Sequence, residues 1–526
     1  MNVAELLDIP ASMFPEQEIL RFDARSLTYE ELQALVQQTA GALHRLGVGR
    51  GDRVAVVDTN SADLVVALFA IVSVGAVFVP LSYRGRADEW QHMLDAARPK
   101  IVLAADRYVE ECRAVCQACT DSPVLMPLSP SREGVSDLRT LAEKAEPTPF
   151  EDVDDDDLAV LMFTSGSTAV SKAVMLAHAD LVNYVCESVD CADGSDRGAA
   201  LLSAPLHHIA GLTATLSAIF AGRRLVLMPQ FDAARWLEMA QRERVTHAFL
   251  VPTMLKRVLD CEQFEQADLS RLQLLSYGAA PMPLGVIRRA IESFPPSVQF
   301  INAFGQTETT STVTMLSPDD HRLEGAPEEV QIKLRRLGSI GRALPEVEVR
   351  ILDEAGEPVS RGQVGEIALR TPRTMRGYFG QDEATAVTIR DGWLLTRDLA
   401  WMDEDGYIFL TGRKADLIIR GGENIAPQEV ELILESHPNV EEVAVVGVPD
   451  DEWGERVCAV VVARANVDLS EAELIEWCHE RLASFKKPET VIFTQSLPRN
   501  PLGKLMRSEL RAQIQSPTLN GEANGE

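Results

Sequence analysis

The sequence predicts an α/β protein: layered helices and parallel strands over its larger part, then a β-rich subdomain, then a small α+β unit. Three observations predict it. From residue 27 to Leu103, and again from 178 to 310, helical periodicity alternates with short apolar runs, the pattern of helices laid on a parallel sheet. Between Gly338 and Tyr407 the texture changes to short alternating strands with Gly and Pro turns. After Asp416 comes a helix and strand mixture of about a hundred residues, the size of one small domain.

Composition sets the outer bounds. With 526 residues, 46% hydrophobic and 25% charged, the chain is long enough for two or more domains with large cores. Its formal charge of −29 argues against a nucleic-acid surface and against attraction to anionic lipid. An anionic substrate such as a nucleotide then needs a local cluster of donors.

Taken in order, the N-terminus lacks a basic segment followed by an apolar core, so no secretory signal is expected. Leu27-Thr-Tyr-Glu-Glu-Leu opens a helix with Thr28 as N-cap and Glu31 three residues on, the capping-box pattern. Gly47-Val-Gly-Arg-Gly-Asp52 has Asp52 where a dinucleotide fingerprint needs glycine, and it precedes a strand rather than following one; it reads as a helix exit and turn. Leu64 to Leu81 carries no charge over eighteen residues, the length of a membrane span. Ser73, Gly75 and Pro80 interrupt it, which divides it into a buried helix ending near Gly75 and a strand Ala76–Pro80.

Eight cysteines, at 112, 116, 119, 186, 191, 261, 458 and 478, form no paired framework, so reduced thiols in a cytoplasm are expected. The spacing of Cys112, Cys116 and Cys119 also occurs in iron–sulfur sites, but here it lies on an amphipathic pattern and reads as one face of a helix. Asp154-Asp-Asp-Asp157 is expected to be a solvated turn, because four consecutive carboxylates do not converge on one point.

Directly after that turn, an apolar run ends in Thr164-Ser-Gly-Ser-Thr168 and reaches Lys172. Thr164, Ser165, Gly166, Ser167 and Thr168 can turn N–H groups and hydroxyls toward an anion while Lys172 adds positive charge. By itself this window fits a phosphate loop or an ordinary turn, and it is not a Walker A loop. Later clusters are Pro205-Leu-His-His-Ile-Ala-Gly211, with a histidine pair ahead of an apolar helix, and Tyr277-Gly-Ala-Ala-Pro-Met282, whose Gly278, Ala279 and Ala280 leave a backbone open to a ligand. Asn302-Ala-Phe-Gly-Gln-Thr-Glu308 offers an aromatic face, a hydroxyl and a carboxylate, and Leu497-Pro-Arg-Asn-Pro-Leu-Gly-Lys504 presents a lysine on a Pro/Gly turn.

In order and spacing these clusters resemble the adenylate-forming enzymes: acyl-CoA synthetases, adenylation domains of peptide synthetases, and luciferases. The resemblance runs from about Leu27 to Arg511. Thr164–Ala173 looks like that family's T-S-G-[ST]-T-G-x-P-K-G, Phe304-Gly-Gln-Thr-Glu308 like its Y-G-x-T-E, and Thr396-Arg-Asp398 like its T-G-D. Gly412-Arg413, the loop Gly421-Gly-Glu-Asn-Ile425 and Pro501-Leu-Gly-Lys504 match its remaining motifs.

What the resemblance implies is a large N-terminal domain, residues 1–412, a hinge at 413–416, a mobile C-terminal domain at 417–515 and a disordered tail at 516–526. ATP, Mg²⁺ and CoA are the implied cofactors. Phe304, Gly305 and Gln306 would meet the adenine, Thr307 the α-phosphate, Asp398 the ribose hydroxyls and Arg413 the ribose or phosphate. Glu308 would hold Mg²⁺, a hard cation that prefers oxygen. Lys504 would neutralise charge developing between carboxylate and phosphate, Gly421 and Gly422 would line a pantetheine channel, and His208 is either a gate of the acyl pocket or a core histidine.

Departures from the pattern are Ala169, Ser171 and Ala173 for Gly, Pro and Gly, Arg397 for the glycine of T-G-D, and Ala415 in the hinge. Alanine would stiffen the phosphate loop wherever it stands at a position needing positive φ. No acidic residue lies between Ser203 and Gly222, so the acyl pocket lacks the anion an amino-acid ammonium would need. An apolar carboxylic acid (fatty, alicyclic or aryl) is expected, with CoA as acceptor; a carrier protein is the alternative acceptor, and a weakened AMP-binding homologue the alternative function. Small molecules are the expected partners, a homodimer is a further candidate, and neither nucleic acid nor a membrane span is expected.

Overall fold

The computed structural model describes residues 1–130, 136–148, 150–151, 153–164, 171–450, 452–465, 467–499 and 505–515. The chain forms two compact units. One comprises Met1–Leu337, Ala343–Glu348 and Arg370–Leu394, the other Gly338–Arg342, Val349–Leu369 and the chain from Leu395 onward. The architecture is the α/β one expected from the sequence.

Two mostly parallel sheets make the first unit. In one, Ser311–Leu316, Gln299–Gln306, Leu274–Gly278, His247–Leu250, Ala199–Leu202, Arg224–Leu227 and Glu18–Phe22 lie side by side in that order. In the other the order is Gly377–Tyr378, Lys172–Ala177, Leu158–Thr164, Val77–Leu81, Arg53–Val57, Ile101–Ala104 and Val124–Pro127. Strands buried on both faces read as continuous apolar runs, which is the form taken by the short apolar runs between 178 and 310.

The charge-free stretch becomes the helix Ala62–Ser73 and the strand Val77–Leu81, joined by Gly75 at φ +68°. Every residue from 64 to 81 is buried, so its apolarity is that of a core. No helix among the described residues is long and apolar enough to cross a membrane. Thr28 caps the helix Tyr29–Arg45: its hydroxyl accepts from the Glu31 N–H while the Glu31 carboxylate accepts from the Thr28 N–H at 2.9 Å.

Cys112, Cys116 and Cys119 pack beside Trp90, Leu94 and Val102 along the helix Val109–Ala118. Burial pushes their thiols up to about 12, about 11 and about 11, which makes them neutral core residues rather than thiolate ligands. The acid run fans out onto different cations: Arg50 pairs with Asp154 and, at 2.7 Å, with Asp157, while Arg376 meets Asp156 at 2.9 Å.

In the second unit, Gly365–Arg370 lies between Glu348–Leu352 and the strand Trp393–Met402, which pairs in turn with Ile408–Arg413. A further sheet runs Glu423–Ile425, Ile418–Arg420, Gly454–Ala463, Val440–Asp450, with Thr490–Phe493 also alongside Gly454–Ala463. The helices Pro427–Glu435 and Glu471–His479 cover it through Val430, Leu434, Leu474 and Cys478. Pro427 occupies the first helical turn, where a missing N–H costs no bond.

Candidate active site

Thr164 and Lys172 are direct partners at the ends of two antiparallel strands. Ser165, Gly166, Ser167, Thr168 and Ala169 lie outside the described residues. Ala173, at one of the two missing glycine positions, sits inside the strand, 2% exposed. Its φ is not positive, so alanine is accommodated there without strain.

The strand Gln299–Gln306 carries Phe304, Gly305 and Gln306 and passes into one tight turn, Thr307–Thr309. Residues 301–308 are all half-buried, an open stretch in an otherwise covered sheet. Buried Thr309 closes the turn, accepting from the Gln306 N–H at 3.0 Å and donating to the Ser311 carbonyl at 2.9 Å. Thr310 and Ser311 then adopt φ +50° and +78°, strained for residues with a side chain and typical of functional turns. Gly305 is fixed by this return: a Cβ there would lie 1.7 Å from the Ser311 carbonyl oxygen.

Residues 371–378, which sequence reasoning passed over, brace that turn. The Thr310 hydroxyl donates to the Arg373 carbonyl at 2.8 Å and Arg373 Nη1 donates to the Thr312 carbonyl at 3.1 Å. The Met375 N–H donates to the Glu308 carbonyl at 2.9 Å. Tyr378 donates its phenolic hydrogen to Glu308 Oε1 at 3.0 Å, and Lys172 Nζ stands 4.8 Å over the centre of the same ring. Glu308 and Lys172 are thus gathered at one tyrosine. Glu308 offers a half-buried carboxylate, an oxygen donor, on the turn that begins at Thr307. It fits Mg²⁺, which keeps most of its waters and binds through one or two carboxylates plus substrate phosphates.

Gly278 ends a parallel strand, and a Cβ there would come 2.1 Å from the Ala303 carbonyl oxygen; strand packing alone requires the glycine. Ala279 follows at φ +66° and is exposed, with Ala280 half-buried. This is the carboxyl end of the sheet, where α/β folds take their ligands. His208 precedes the helix Ile209–Phe220, with its ring 4.3 Å from that of His207. Burial, with Arg84 nearby, pushes its imidazole down to about 4. Its Nε2 is buried without a hydrogen-bond partner among the described residues. A neutral ring with an unsatisfied nitrogen suits either the gate or the core reading.

In the second unit Asp398 and Arg413 are cross-strand partners, with Arg413 Nε 3.0 Å from Asp398 Oδ1. The Asp398 N–H donates to Thr396 Oγ1 at 3.1 Å, folding the chain around Arg397, which adopts φ +63°. That is glycine's region of backbone space, and arginine occupies it. Gly421 and Gly422, at φ +57° and +86°, form the two-residue turn between Ile418–Arg420 and Glu423–Ile425, as a type I′ hairpin requires. The Gly421 N–H donates to the Trp453 carbonyl at 2.7 Å. Ala415 lies in the short turn Lys414–Asp416. Lys504 and the tail 516–526 lie outside the described residues.

Residues 7–379 match the model of the AMP-binding enzymes and residues 429–504 that of the AMP-binding enzyme C-terminal domain. The chain belongs to the AMP-binding enzyme family. It is therefore an adenylate-forming enzyme, of a family that works with ATP, Mg²⁺ and CoA. It is 36% identical to a feruloyl-CoA synthase of an Amycolatopsis species, covering 96% of this chain and 97% of that one. With an indoleacetate–CoA ligase of Aromatoleum aromaticum it is 32% identical over 98% and 99% of the two chains. Among solved structures, ATP-bound MatB from Rhodopseudomonas palustris superimposes with a TM-score of 0.87 at 30% identity, covering 98% and 99%.

Proposed function

We propose that this AMP-binding enzyme joins an apolar carboxylic acid, fatty, alicyclic or aryl, to ATP as an acyl-adenylate and passes the acyl group to CoA. The products are acyl-CoA, AMP and pyrophosphate. One observation carries the reading: the carboxylate of Glu308 and the ammonium of Lys172 meet at Tyr378, on the turn that also carries Thr307, which supports a site for a triphosphate.

Two anions must come together in the first step, so the protein supplies positive charge and positioning rather than a covalent nucleophile. Mg²⁺, when bound at Glu308, neutralises phosphate oxygens. Thr164 to Thr168 and Lys172 hold the β- and γ-phosphates, Thr307 holds the α-phosphate, and Phe304 stacks on the adenine with Gly305 and Gln306 at its edge. Asp398 accepts from the ribose hydroxyls while Arg413, already paired to it at 3.0 Å, orients that carboxylate. Lys504 offsets charge between the attacking carboxylate and the α-phosphate. In the second step residues 417–515 turn about 413–416, Lys504 leaves, and Gly421 and Gly422 come to the thiol's channel.

Half-buried Ile209 and Ala210 with buried Gly211, and no acid from Ser203 to Gly222, support an apolar acyl group. The names of the feruloyl and indoleacetate relatives favour the aryl option. Cysteines that are all free suit a cytoplasmic setting. The test is incubation with ATP, Mg²⁺ and a panel of carboxylates, with and without CoA, following AMP, pyrophosphate and thioester. Thioester formation with an apolar acid is expected. Pyrophosphate without thioester would transfer the assignment to a carrier-protein ligase, and no turnover with any acid would leave an AMP-binding homologue without this activity.

A further inference from the structure

We propose that Tyr378 is a positioning residue that sets the magnesium carboxylate and the phosphate cation of the site in one arrangement. The inference rests on the roles given above to Glu308 and Lys172, and on contacts independent of any ligand. Tyr378 is 6% exposed, and its phenol hydrogen goes to Glu308 Oε1 at 3.0 Å. A buried hydroxyl has few alternative acceptors, so this bond fixes the rotamer of the glutamate. It also occupies one lone pair of one oxygen only, leaving the carboxylate's other acceptor sites to a cation.

The ring acts separately from the hydroxyl. Lys172 Nζ lies 4.8 Å above its centre, within the range where the π-face attracts an ammonium. Such a contact orients the lysine through the face of the ring rather than through a carboxylate. A carboxylate in that place would pair with the lysine and compete with the substrate.

Backbone geometry holds the tyrosine in turn. Gly377 and Tyr378 pair antiparallel with Met175 and Val174, three and two residues beyond Lys172, and the Tyr378 N–H donates to Thr385 Oγ1 at 2.9 Å. Arg376 is anchored by Asp156 at 2.9 Å. One member of the acid run, Asp156, together with buried Asp180 at 3.2 Å, thus pairs with the segment that carries Tyr378.

The two halves of the side chain separate in two variants. Tyr378→Phe keeps the ring and removes the hydroxyl; Tyr378→Leu removes both. Mn²⁺ binding to the protein with ATP present, read by electron paramagnetic resonance, should weaken about tenfold in Tyr378→Phe, while ATP binding without metal stays within about twofold. In Tyr378→Leu both should weaken, because Lys172 loses its seat. AMP, which lacks the β- and γ-phosphates, should bind wild type and both variants alike. Unchanged Mn²⁺ affinity in Tyr378→Phe overturns the proposal. Equal weakening of AMP, ATP and Mn²⁺ overturns it too, since that marks a general structural role. These titrations need no carboxylic acid, so they judge Tyr378 even if no acid in the panel is turned over.

Discussion

Two strained segments carry the candidate nucleotide-binding residues, and they are held in different ways. Thr307–Ser311 in the first unit puts two residues with side chains in the left-handed region, Thr310 and Ser311. It is tied down by a segment more than sixty residues later in the chain, through Arg373, Met375 and Tyr378. Thr396–Asp398 in the second unit is held at shorter range, by a bond from the Asp398 N–H to Thr396 Oγ1, the cross-strand partner Arg413, and the strand about thirty residues earlier, where Glu366 accepts from the Arg397 N–H at 3.0 Å and the Ile367 carbonyl from the Thr396 hydroxyl at 2.9 Å. A turn fixed by distant packing keeps its shape only while the whole unit is folded. In the second segment the positive φ falls on the single residue Arg397.

The comparison breaks hardest at the functional carboxylates. Glu308→Gln keeps the size and the tyrosine contact but removes the charge, and ATP–pyrophosphate exchange should fall on the order of a hundredfold or more, with folding unchanged by circular dichroism. Retained exchange would remove Glu308 from the site.

Arg373 tests the distant brace itself. It is 1% exposed, pairs with Glu346, donates to Thr312 and lies 5.2 Å over the Tyr184 ring. Arg373→Met leaves Glu346 unpaired, and removing one member of a buried pair typically costs about 3 to 5 kcal/mol. Denaturant unfolding should show a loss of this size for the transition of the first unit, and a loss under about 1 kcal/mol would mean the brace is not structural.

Acid should weaken the same unit. Burial pushes the imidazoles of His178, His208, His247 and His321 down to about 4 from an ordinary 6.5. Between those values the unfolded chain takes up protons that the folded chain refuses, so stability is fully present above about pH 6.5 and declines toward pH 4. The denaturant midpoint should therefore be lower at pH 5 than at pH 7, and equal midpoints would contradict it.

The smallest effect concerns the local brace and has the opposite sign. Arg397→Gly puts glycine where φ is +63° and relieves a strain of about 1 kcal/mol. Part of that gain is offset by the extra freedom of an unfolded glycine. The melting temperature should hold or rise slightly, and a clear fall would show that the arginine side chain stabilises the segment.

How much of this was legible follows from the range of each interaction. The capping box at Thr28 and Glu31, the buried run from 64 to 81 and the helix at Pro427–Glu435 depend on residues within a few positions of each other, so periodicity and caps disclose them. The motifs at Thr164–Lys172, Phe304–Glu308 and Thr396–Asp398 were legible as family patterns because their residue types and their order along the chain match those of the family. Tyr378 was not, because nothing within Thr371–Tyr378 marks a partner of residue 308 or 172.

By itself the sequence determined the α/β class, the family and the residue types proposed for phosphate, ribose and metal, all of them matters of local pattern or of motif order. Tertiary structure alone decided that Glu308 and Lys172 share one tyrosine, that Ala173 stands in ordinary strand geometry, and that Arg397 occupies a glycine conformation. Each of those depends on which strands lie side by side, and pairing between segments far apart in the chain leaves no mark on the residues next to them.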